Sequence, residues 1–364
     1  MRLTRVPLAA VFFAVATPAF AQGPAGTAPA GRGRWEIEFH GGVATAKRPH
    51  GGTITLPPPG APILTSSPIF PSRETSTWLI GDGTVLVNDV AAEFSLGPRL
   101  SPLERALDTI GNGASTGAAL GVRLRRPWTP RLQAEVSVDL LTGSSALSDE
   151  FAAAVESSRS TFESTFTALF ATSPLTGIST TATADLSDGS RRELAVTGTV
   201  HYLFGRHGGF EPYVGFGGGV MTGAGDGATA TVEGRYRFTM PGGAPVSETD
   251  RATLRLTSRT VPVGVLAAGL RHDLSSAWGV QIDGRVWLGP ASARVALDTG
   301  PAATIATPAG FIESFTYPSV QFSNNGSTGR RSTLSGAALQ NFDVFTSGGL
   351  ETRVVITAGV FKRF

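Results

Sequence analysis

The stretch Leu132-Gln133-Ala134-Glu135-Val136-Ser137-Val138-Asp139-Leu140 decides the fold, because apolar and polar residues alternate through it without a break. A two-residue period places successive side chains on opposite faces of a β-strand. The same alternation recurs over residues 35–40 and 278–288. The chain is therefore expected to consist of strands that each have one apolar face and one polar face.

The spacing of these strands predicts the architecture. Short turns at residues 128–131, 205–209 and 273–276 alternate strictly with long connections. Bacterial outer-membrane barrels have this arrangement, with an even number of strands, short periplasmic turns and long extracellular loops. We predict an all-β fold, a closed antiparallel eight-stranded transmembrane β-barrel whose long extracellular loops contain short helices. The strands are expected at about residues 33–46, 117–127, 132–143, 192–204, 210–223, 256–272, 277–297 and 350–364, and the long loops at about 47–116, 144–191, 224–255 and 298–349.

The first 21 residues have the features of a secretory signal peptide. Arg2 and Arg5 precede a short apolar stretch, and Ala19-Phe20-Ala21 forms an A-x-A cleavage signature. Residues 22–32 form a flexible leader rich in Gly, Ala and Pro. Without the two arginines, the 30 basic residues become 28, which equals the 28 acidic residues. A neutral chain gives no electrostatic basis for binding nucleic acid, and the absence of cysteine excludes disulfides and thiolate metal sites.

Three segments resemble parts of small outer-membrane barrels of the OmpA/OmpW type. Glu211-Pro212-Tyr213-Val214-Gly215-Phe216-Gly217-Gly218-Gly219 is similar to their Pro-Tyr-Val-Gly-x-Gly strand, and residues 35–42 resemble their first strand. The last strand ends on Phe364 and resembles their C-terminal assembly signal, although Lys362 stands where an aromatic or apolar residue is common. The resemblance spans residues 33–364 and implies a location in the bacterial cell outer membrane. It also implies contact with outer-membrane lipid and with the barrel-assembly machinery, while no separate peptidoglycan-binding domain is expected.

Two groups of strand residues are the candidate functional residues. Polar residues on the inward phase are expected to pair inside the narrow barrel, since an unpaired buried charge is very costly. This predicted interior network contains Glu36, Glu38, His40, Arg123, Arg125, Glu135, Asp139, Asp283 and Arg285, with Gln133, Ser137, His201 and Gln281 on the same phase. Aromatic residues gather at the short-turn ends and predict a periplasmic girdle. Its members are Trp35, Trp128, Tyr202, Phe204, Phe210, Trp278 and Phe364, with Tyr213 nearby.

The long loops carry signals of ordered structure. Phe151, Phe162 and Phe166 follow a helical spacing, which predicts a helix over residues 149–171 with Ser148 or Asp149 as its cap. Ser101-Pro102-Leu103-Glu104 is a capping-box pattern that predicts a short helix to about residue 110. Residues 78–87 are expected to form a hairpin around Asp-Gly. If that hairpin entered the membrane, the barrel would have ten strands. Residues 228–238 and 253–259 are expected to extend two barrel strands as a long hairpin.

The function that these features favour is structural or surface-binding, with a lumen plugged by ion pairs and an unidentified extracellular ligand as the possible partner. The alternative is a narrow, porin-like channel or transporter for small or hydrophobic solutes. A lipid-modifying enzyme is the third possibility. We expect no enzyme activity, because the five histidines are not arranged with Ser and acid near a membrane rim. No cofactor or metal motif is present in the sequence.

Overall fold

The computed structural model describes residues 35–47, 51–63, 72–110, 114–145, 147–223, 227–239, 241, 245–302, 320, 322 and 332–364. The predicted signal peptide (1–21) and leader (22–32) lie outside the described residues. In the described residues, none of the helices is sufficiently long and apolar to cross a bilayer.

The elements in chain order alternate between long strands and shorter inserted strands and helices. They are β1 (Glu36–Lys47), β2 (Gly52–Ile54), β3 (Pro62–Ile63), β4 (Ser72–Arg73), α1 (Asp82–Glu93), α2 (Glu104–Leu107), β5 (Ala114–Pro127), β6 (Leu132–Ser145), α3 (Asp149–Ala171), β7 (Thr176–Ser187), β8 (Gly189–Leu203), β9 (Phe210–Gly223), β10 (Thr229–Thr239), β11 (Pro245–Ser258), β12 (Val261–Asp273), β13 (Trp278–Pro290), β14 (Ala293–Ala302), a 3-10 helix (Thr333–Ser335), β15 (Phe342–Ser347) and β16 (Leu350–Arg363).

Eight of these strands close into an antiparallel barrel in the order β1-β16-β13-β12-β9-β8-β6-β5. The barrel closes because β1 pairs along its whole length with both β16 and β5, from Glu36 opposite Arg363 and Arg125 at one end to Lys47 at the other. Its exterior is apolar, with Phe39, Leu120 and Ile282 among its exposed side chains. The predicted closed eight-stranded antiparallel fold is confirmed, and the ten-stranded alternative is wrong.

Two of the predicted barrel strands are longer than the strands in the structure. The sixth (256–272) joins the end of β11 to β12, and the seventh (277–297) joins β13 to β14. Both are interrupted at the same level, where Arg259 donates hydrogen bonds from its guanidinium to the carbonyl of Ala291. Periodicity alone did not reveal this break, because the alternation of buried and exposed residues resumes on either side of it.

A second sheet lies beyond the barrel end that carries the long connections. Its order, β2-β15-β14-β11-β10-β7, repeats the order of the six barrel strands from which these strands continue. Only β5 and β6 have no continuation in this sheet, and the chain that leaves β6 forms α3, which packs on β7 and β10. We call this sheet together with α1, α2 and α3 the cap, and we call the opposite end of the barrel the turn end. The hairpin predicted from residues 228–238 and 253–259 is confirmed as β10 and β11.

The long helix α3 occupies the predicted residues. Ser148 caps it, its hydroxyl accepting a hydrogen bond from the Phe151 N–H at 3.1 Å. Phe162, Phe166 and Phe170 on the inner face are buried in the main apolar core of the cap, where Phe166 stacks on Tyr236 at 5.2 Å. Burying side chains of this size contributes about 1.5–3 kcal/mol each. The helix therefore covers the apolar face of the cap sheet with aromatic side chains.

Two loop predictions were wrong in detail. The Asp-Gly hairpin at residues 78–87 does not form, because Asp82-Gly83 begins α1 and buries Leu86, Val87 and Val90 at helical spacing. The capping box at residues 101–104 is also absent. The short α2 begins after Leu103 without a side-chain cap, and the Glu104 carboxylate instead accepts a hydrogen bond from the N–H of Gly81 at 3.3 Å.

Candidate functional site in the barrel interior

The lumen of the barrel is filled by polar side chains over the half that is nearer the turn end. Alternation along each strand directs every second residue inward, and the narrow bore of eight strands leaves these residues in mutual contact. The structure places each member of the predicted interior network at 6% exposure or less: Glu36, Glu38, His40, Arg123, Arg125, Glu135, Asp139, Asp283 and Arg285.

Six of these residues form a closed ring of ion pairs in which acids and arginines alternate. Glu38 lies 2.9 Å from Arg123 and 2.5 Å from Arg125. Asp283 joins Arg123 to Arg285, at 3.0 and 2.7 Å. Glu135 completes the ring, at 2.6 Å from Arg125 and 2.7 Å from Arg285. Each carboxylate therefore compensates two guanidiniums, and each guanidinium compensates two carboxylates.

The ring crosses the bore from one wall to the other. Glu135 lies on β6 and Asp283 on β13, which are diametrically opposite in the strand order. Three acids balance three arginines, so the ring is neutral as a whole. The planar guanidinium fork suits such bridging, and Arg123 also donates to the Thr357 hydroxyl at 3.0 Å. Side chains from opposite walls of the barrel therefore meet at the level of the ring.

A second group extends the ring on its cap side. His40 Nε2 lies 2.7 Å from Asp139 Oδ1, and the Ser137 hydroxyl donates to the other oxygen of Asp139 at 2.8 Å. Ser137 and Thr197 share a further hydrogen bond at 2.7 Å. The group contains serine, histidine and aspartate, but all three side chains are buried inside the barrel. Its geometry supports a structural hydrogen-bond network.

A third layer, nearest the turn end, joins Glu36 and Gln133 to Arg271, Asp273 and Arg363, which lie outside the predicted network. Arg271 Nη2 lies 2.5 Å from Glu36 Oε2, and its other terminal nitrogen donates to Gln133 at 3.0 Å. Arg363 pairs with both Glu36, at 2.8 Å, and Asp273, at 2.6 Å. Arg271 lies on the same inward phase as Val261, Val263 and Val265 on β12, but both faces of that strand are apolar, so the sequence does not reveal the phase.

The lumen becomes apolar toward the cap. Trp287 is buried there with inward-facing alanines and valines, and the full cluster is Ala44, Ala119, Leu141, Ala195, Met221, Val261, Val263, Val265, Trp287 and Val355. Beside it, a small cleft opens at the cap ends of β1, β5 and β6. Small residues such as Ala46, Gly117 and Gly143 line the cleft together with Glu193 and Arg353, which form an ion pair at 2.9 Å.

The predicted girdle residues lie around the turn end, at the start or end of strands or in the short turns. All seven are between 38% and 60% exposed: Trp35, Trp128, Tyr202, Phe204, Phe210, Trp278 and Phe364. Tyr213 was wrongly grouped with them. Its ring points into the lumen and stacks on His201 at 4.7 Å, because it lies on the inward phase of β9, and its hydroxyl accepts a hydrogen bond from Gln281.

Comparison with known proteins adds distant similarities. No protein-family model and no curated protein matches the chain. The crystal structure of the outer membrane protein OprG from Pseudomonas aeruginosa aligns over 92% of this chain and 98% of its own, with 11% identity and a TM-score of 0.33. The Ralstonia pickettii toluene transporter TbuX aligns over 92% of this chain and 90% of its own, with 10% identity and a TM-score of 0.19. The fold itself rests on the strand pairing of this chain, a closed eight-stranded antiparallel barrel with an apolar exterior, which is the architecture of outer-membrane barrels.

Proposed function

We propose that this protein is an outer-membrane barrel with a structural or surface-binding role, in which a closed barrel carries a folded cap at the cell surface. The observation that carries the proposal is the ion-pair ring. Arg123, Arg125 and Arg285 are each only 1% exposed and are each held by two carboxylates. A lumen filled in this way anchors the strands but offers no route for solutes.

Location in the outer membrane is supported by the surface of the barrel. Between the ends of the eight strands its exposed side chains are mostly apolar, and a closed barrel leaves no unpaired strand edge in lipid. Aromatic side chains surround the turn end, as expected for a membrane interface. Most charged residues of these strands point into the lumen instead, and the exposed Lys47, Arg126 and Lys362 lie at strand ends. The sequence features of a signal peptide at residues 1–21 support export of the chain.

In this proposal the cap is the part of the molecule that contacts other molecules at the cell surface. It has its own apolar core, formed by α1, α3 and one face of the six-stranded sheet. The other face of the sheet is polar and includes Arg235, Arg251 and Glu233. Loops on a rigid scaffold commonly carry binding function.

Conductance of single barrels tests the closed lumen. The purified protein in planar bilayers is expected to give no discrete current steps. A double variant, Glu135→Gly with Arg285→Gly, removes one acid and one arginine from the ring and keeps it neutral, so it is expected to give small ohmic steps. The matched control, Glu233→Gly with Arg251→Gly, removes a similar pair from the cap surface and should stay silent. Reproducible steps from the unaltered protein would refute the plugged-lumen proposal.

A narrow channel for small or hydrophobic solutes is the second candidate function. The apolar lumen around Trp287 and the adjacent cleft lined by Gly117 and Gly143 favour it, because an apolar solute could enter there without meeting the ion-pair ring. Uptake of a radiolabelled apolar solute by cells with and without the protein tests this candidate. The third possibility, a lipid-modifying enzyme, predicts a change in the mass spectrum of lipid A, and we propose that none occurs.

A further inference from the structure

Two acidic side chains lie in the apolar core of the cap. Glu248 and Asp250 are two residues apart on β11 and therefore point to the same, inner face of the cap sheet, where they are 2% and 0% exposed. Among the described residues neither carboxyl forms an ion pair. One oxygen of each, Glu248 Oε1 and Asp250 Oδ1, is buried without a hydrogen-bond partner in the part of the chain that the structure describes. Burying an ionised carboxylate in this way is costly.

Each carboxyl holds a different loop segment. Asp250 Oδ2 accepts hydrogen bonds from the Trp78 backbone N–H at 2.7 Å and from the Thr77 hydroxyl at 3.0 Å. Glu248 Oε2 accepts from the Ser332 hydroxyl at 2.9 Å and from the Tyr236 hydroxyl. The first segment belongs to the connection between β1 and β5, and the second precedes β15. Hydrogen bonds to β11 therefore hold two connections that are more than 240 residues apart in sequence.

The two segments are also bonded to each other. The Thr75 N–H donates to the Thr333 carbonyl at 2.6 Å, and the Gly336 N–H donates to the Thr75 carbonyl at 2.9 Å. Beyond Trp78, the Leu79 carbonyl accepts from Leu103, which leads into α2. Releasing the carboxyl contacts would therefore loosen both segments together with the helices that follow the first one.

We propose that Glu248 and Asp250 form a pH-operated latch, which holds residues 75–80 and 332–336 on β11 while the carboxyls are protonated and loosens them when the carboxyls ionise. The titratable groups that face the pair in the described residues are the two acids themselves and Tyr236 on β10. Residues 75–80 contribute a hydroxyl and a backbone N–H, the 3-10 segment contributes a hydroxyl, and α3 contributes phenylalanines. None of these can neutralise a carboxylate.

The direction of the pH dependence follows from burial. Burial raises the pKa of Asp250 to about 7, and burial together with the nearby Asp250 carboxyl raises the pKa of Glu248 well above its usual range. In a loosened cap, water would return both carboxyls to ordinary values near 4. The closed cap is thus at full stability below about pH 4 and loses stability as the pH rises toward the raised values, since only the open state ionises freely.

Hydrogen–deuterium exchange of the full chain in lipid nanodiscs tests the latch. After correction for the intrinsic pH dependence of exchange, we expect opening of residues 75–80 and 332–336 to increase between pH 5 and pH 7, by up to about tenfold per pH unit for each carboxyl that ionises on opening. The double variant Glu248→Gln with Asp250→Asn keeps hydrogen-bond acceptors but cannot ionise, so its exchange should be independent of pH. Peptides from β6 should show no such increase in either protein.

The matched control is Glu233→Gln, which neutralises an acid on the outer face of the same sheet and should retain the pH dependence. Tryptophan emission of the unaltered protein provides a second measurement that does not require the double variant to fold. The buried Trp78 should become more solvated from pH 5 to pH 8, and the change should vanish in Trp78→Phe. Exchange that is independent of pH in the unaltered protein, or equally dependent on pH in the double variant, would overturn the proposal.

Discussion

Glu135 illustrates how the lumen depends on individual residues. Its carboxylate lies between two guanidiniums, at 2.6 Å from Arg125 and 2.7 Å from Arg285, and it also accepts a hydrogen bond from the Thr199 hydroxyl at 3.2 Å. Removing one partner from a buried ion-pair network leaves the remaining charges uncompensated, which is more costly than never having buried them.

We therefore predict that Glu135→Ala lowers the free energy of unfolding by about 3–5 kcal/mol, measured by urea titration in detergent micelles. The matched control is Glu233→Ala. Glu233 also bridges two arginines, Arg235 and Arg251, but both are exposed, and exposed pairs contribute at most about 1 kcal/mol. An equal decrease in the free energy of unfolding in the two variants would show that the buried ring stabilises the protein no more than an exposed ion pair does.

The sequence predicts which residues point into the lumen on strands where the inward-facing residues are polar and the outward-facing residues are apolar. Glu135 and Asp139 on β6 alternate with apolar residues, so their orientation was readable. On β12 the inward residues Val261 and Val263 are as apolar as the outward ones, because they pack with Trp287 in an apolar cluster inside the barrel. The polar or apolar character of a residue therefore could not separate the two faces of that strand, and Arg271 was missed.

At the scale of the element, β7 has an edge that requires protection. It is twelve residues long and contains one charged residue, Asp185, and no proline. Such edges invite pairing with another chain. On the edge that β10 does not occupy, the Ala182 N–H donates to Glu163 at 2.7 Å and the Ala182 carbonyl accepts from Arg159 at 3.3 Å. Two side chains of α3 therefore take the place of a neighbouring strand.

We predict that Glu163→Ala lowers the free energy of unfolding by about 1–2 kcal/mol and increases self-association through β7. Sedimentation velocity in detergent measures the association. Glu156→Ala is the control, because Glu156 pairs with the same Arg159 at 2.6 Å but, within the described residues, forms no hydrogen bond with β7. An unchanged sedimentation profile for Glu163→Ala would contradict the protective role.

The elements of the cap differ in how far sequence could predict them. The spacing of Phe162, Phe166 and Leu169 marked α3 because a long helix repeats its period several times. Residues 78–87 contain one Asp-Gly pair between apolar residues, which fits a hairpin as well as a helix start. Packing of Val87 and Val90 in the cap core decided in favour of α1, and that contact depends on distant strands.

At the scale of the whole molecule, the barrel and the cap share one strand order. Six of the eight barrel strands continue into the cap sheet in the same sequence of neighbours. The sequence showed that the connections are long, but not that they pair with one another. Pairing in the β14–β15 and β15–β2 ladders joins segments far apart in the chain, and no local pattern encodes which distant segment is the partner.

Deletion of Phe364 distinguishes an effect on the stability of the folded protein from an effect on its assembly. Its side chain is 60% exposed, and its backbone N–H donates to the Trp35 carbonyl at 3.1 Å. Deleting Phe364 removes one exposed ring and one hydrogen bond, so we expect the free energy of unfolding in micelles to change by at most about 1 kcal/mol. If the C-terminal strand is recognised by the assembly machinery, the amount of folded protein in the outer membrane should nevertheless fall severalfold, as measured by quantitative immunoblotting of membrane fractions.

Phe210→Ala is the control, because it removes an exposed ring from the same end of the barrel and leaves the C-terminus intact. Unchanged yield after deletion of Phe364 would contradict an assembly signal, and an equal loss in Phe210→Ala would assign the effect to the aromatic girdle.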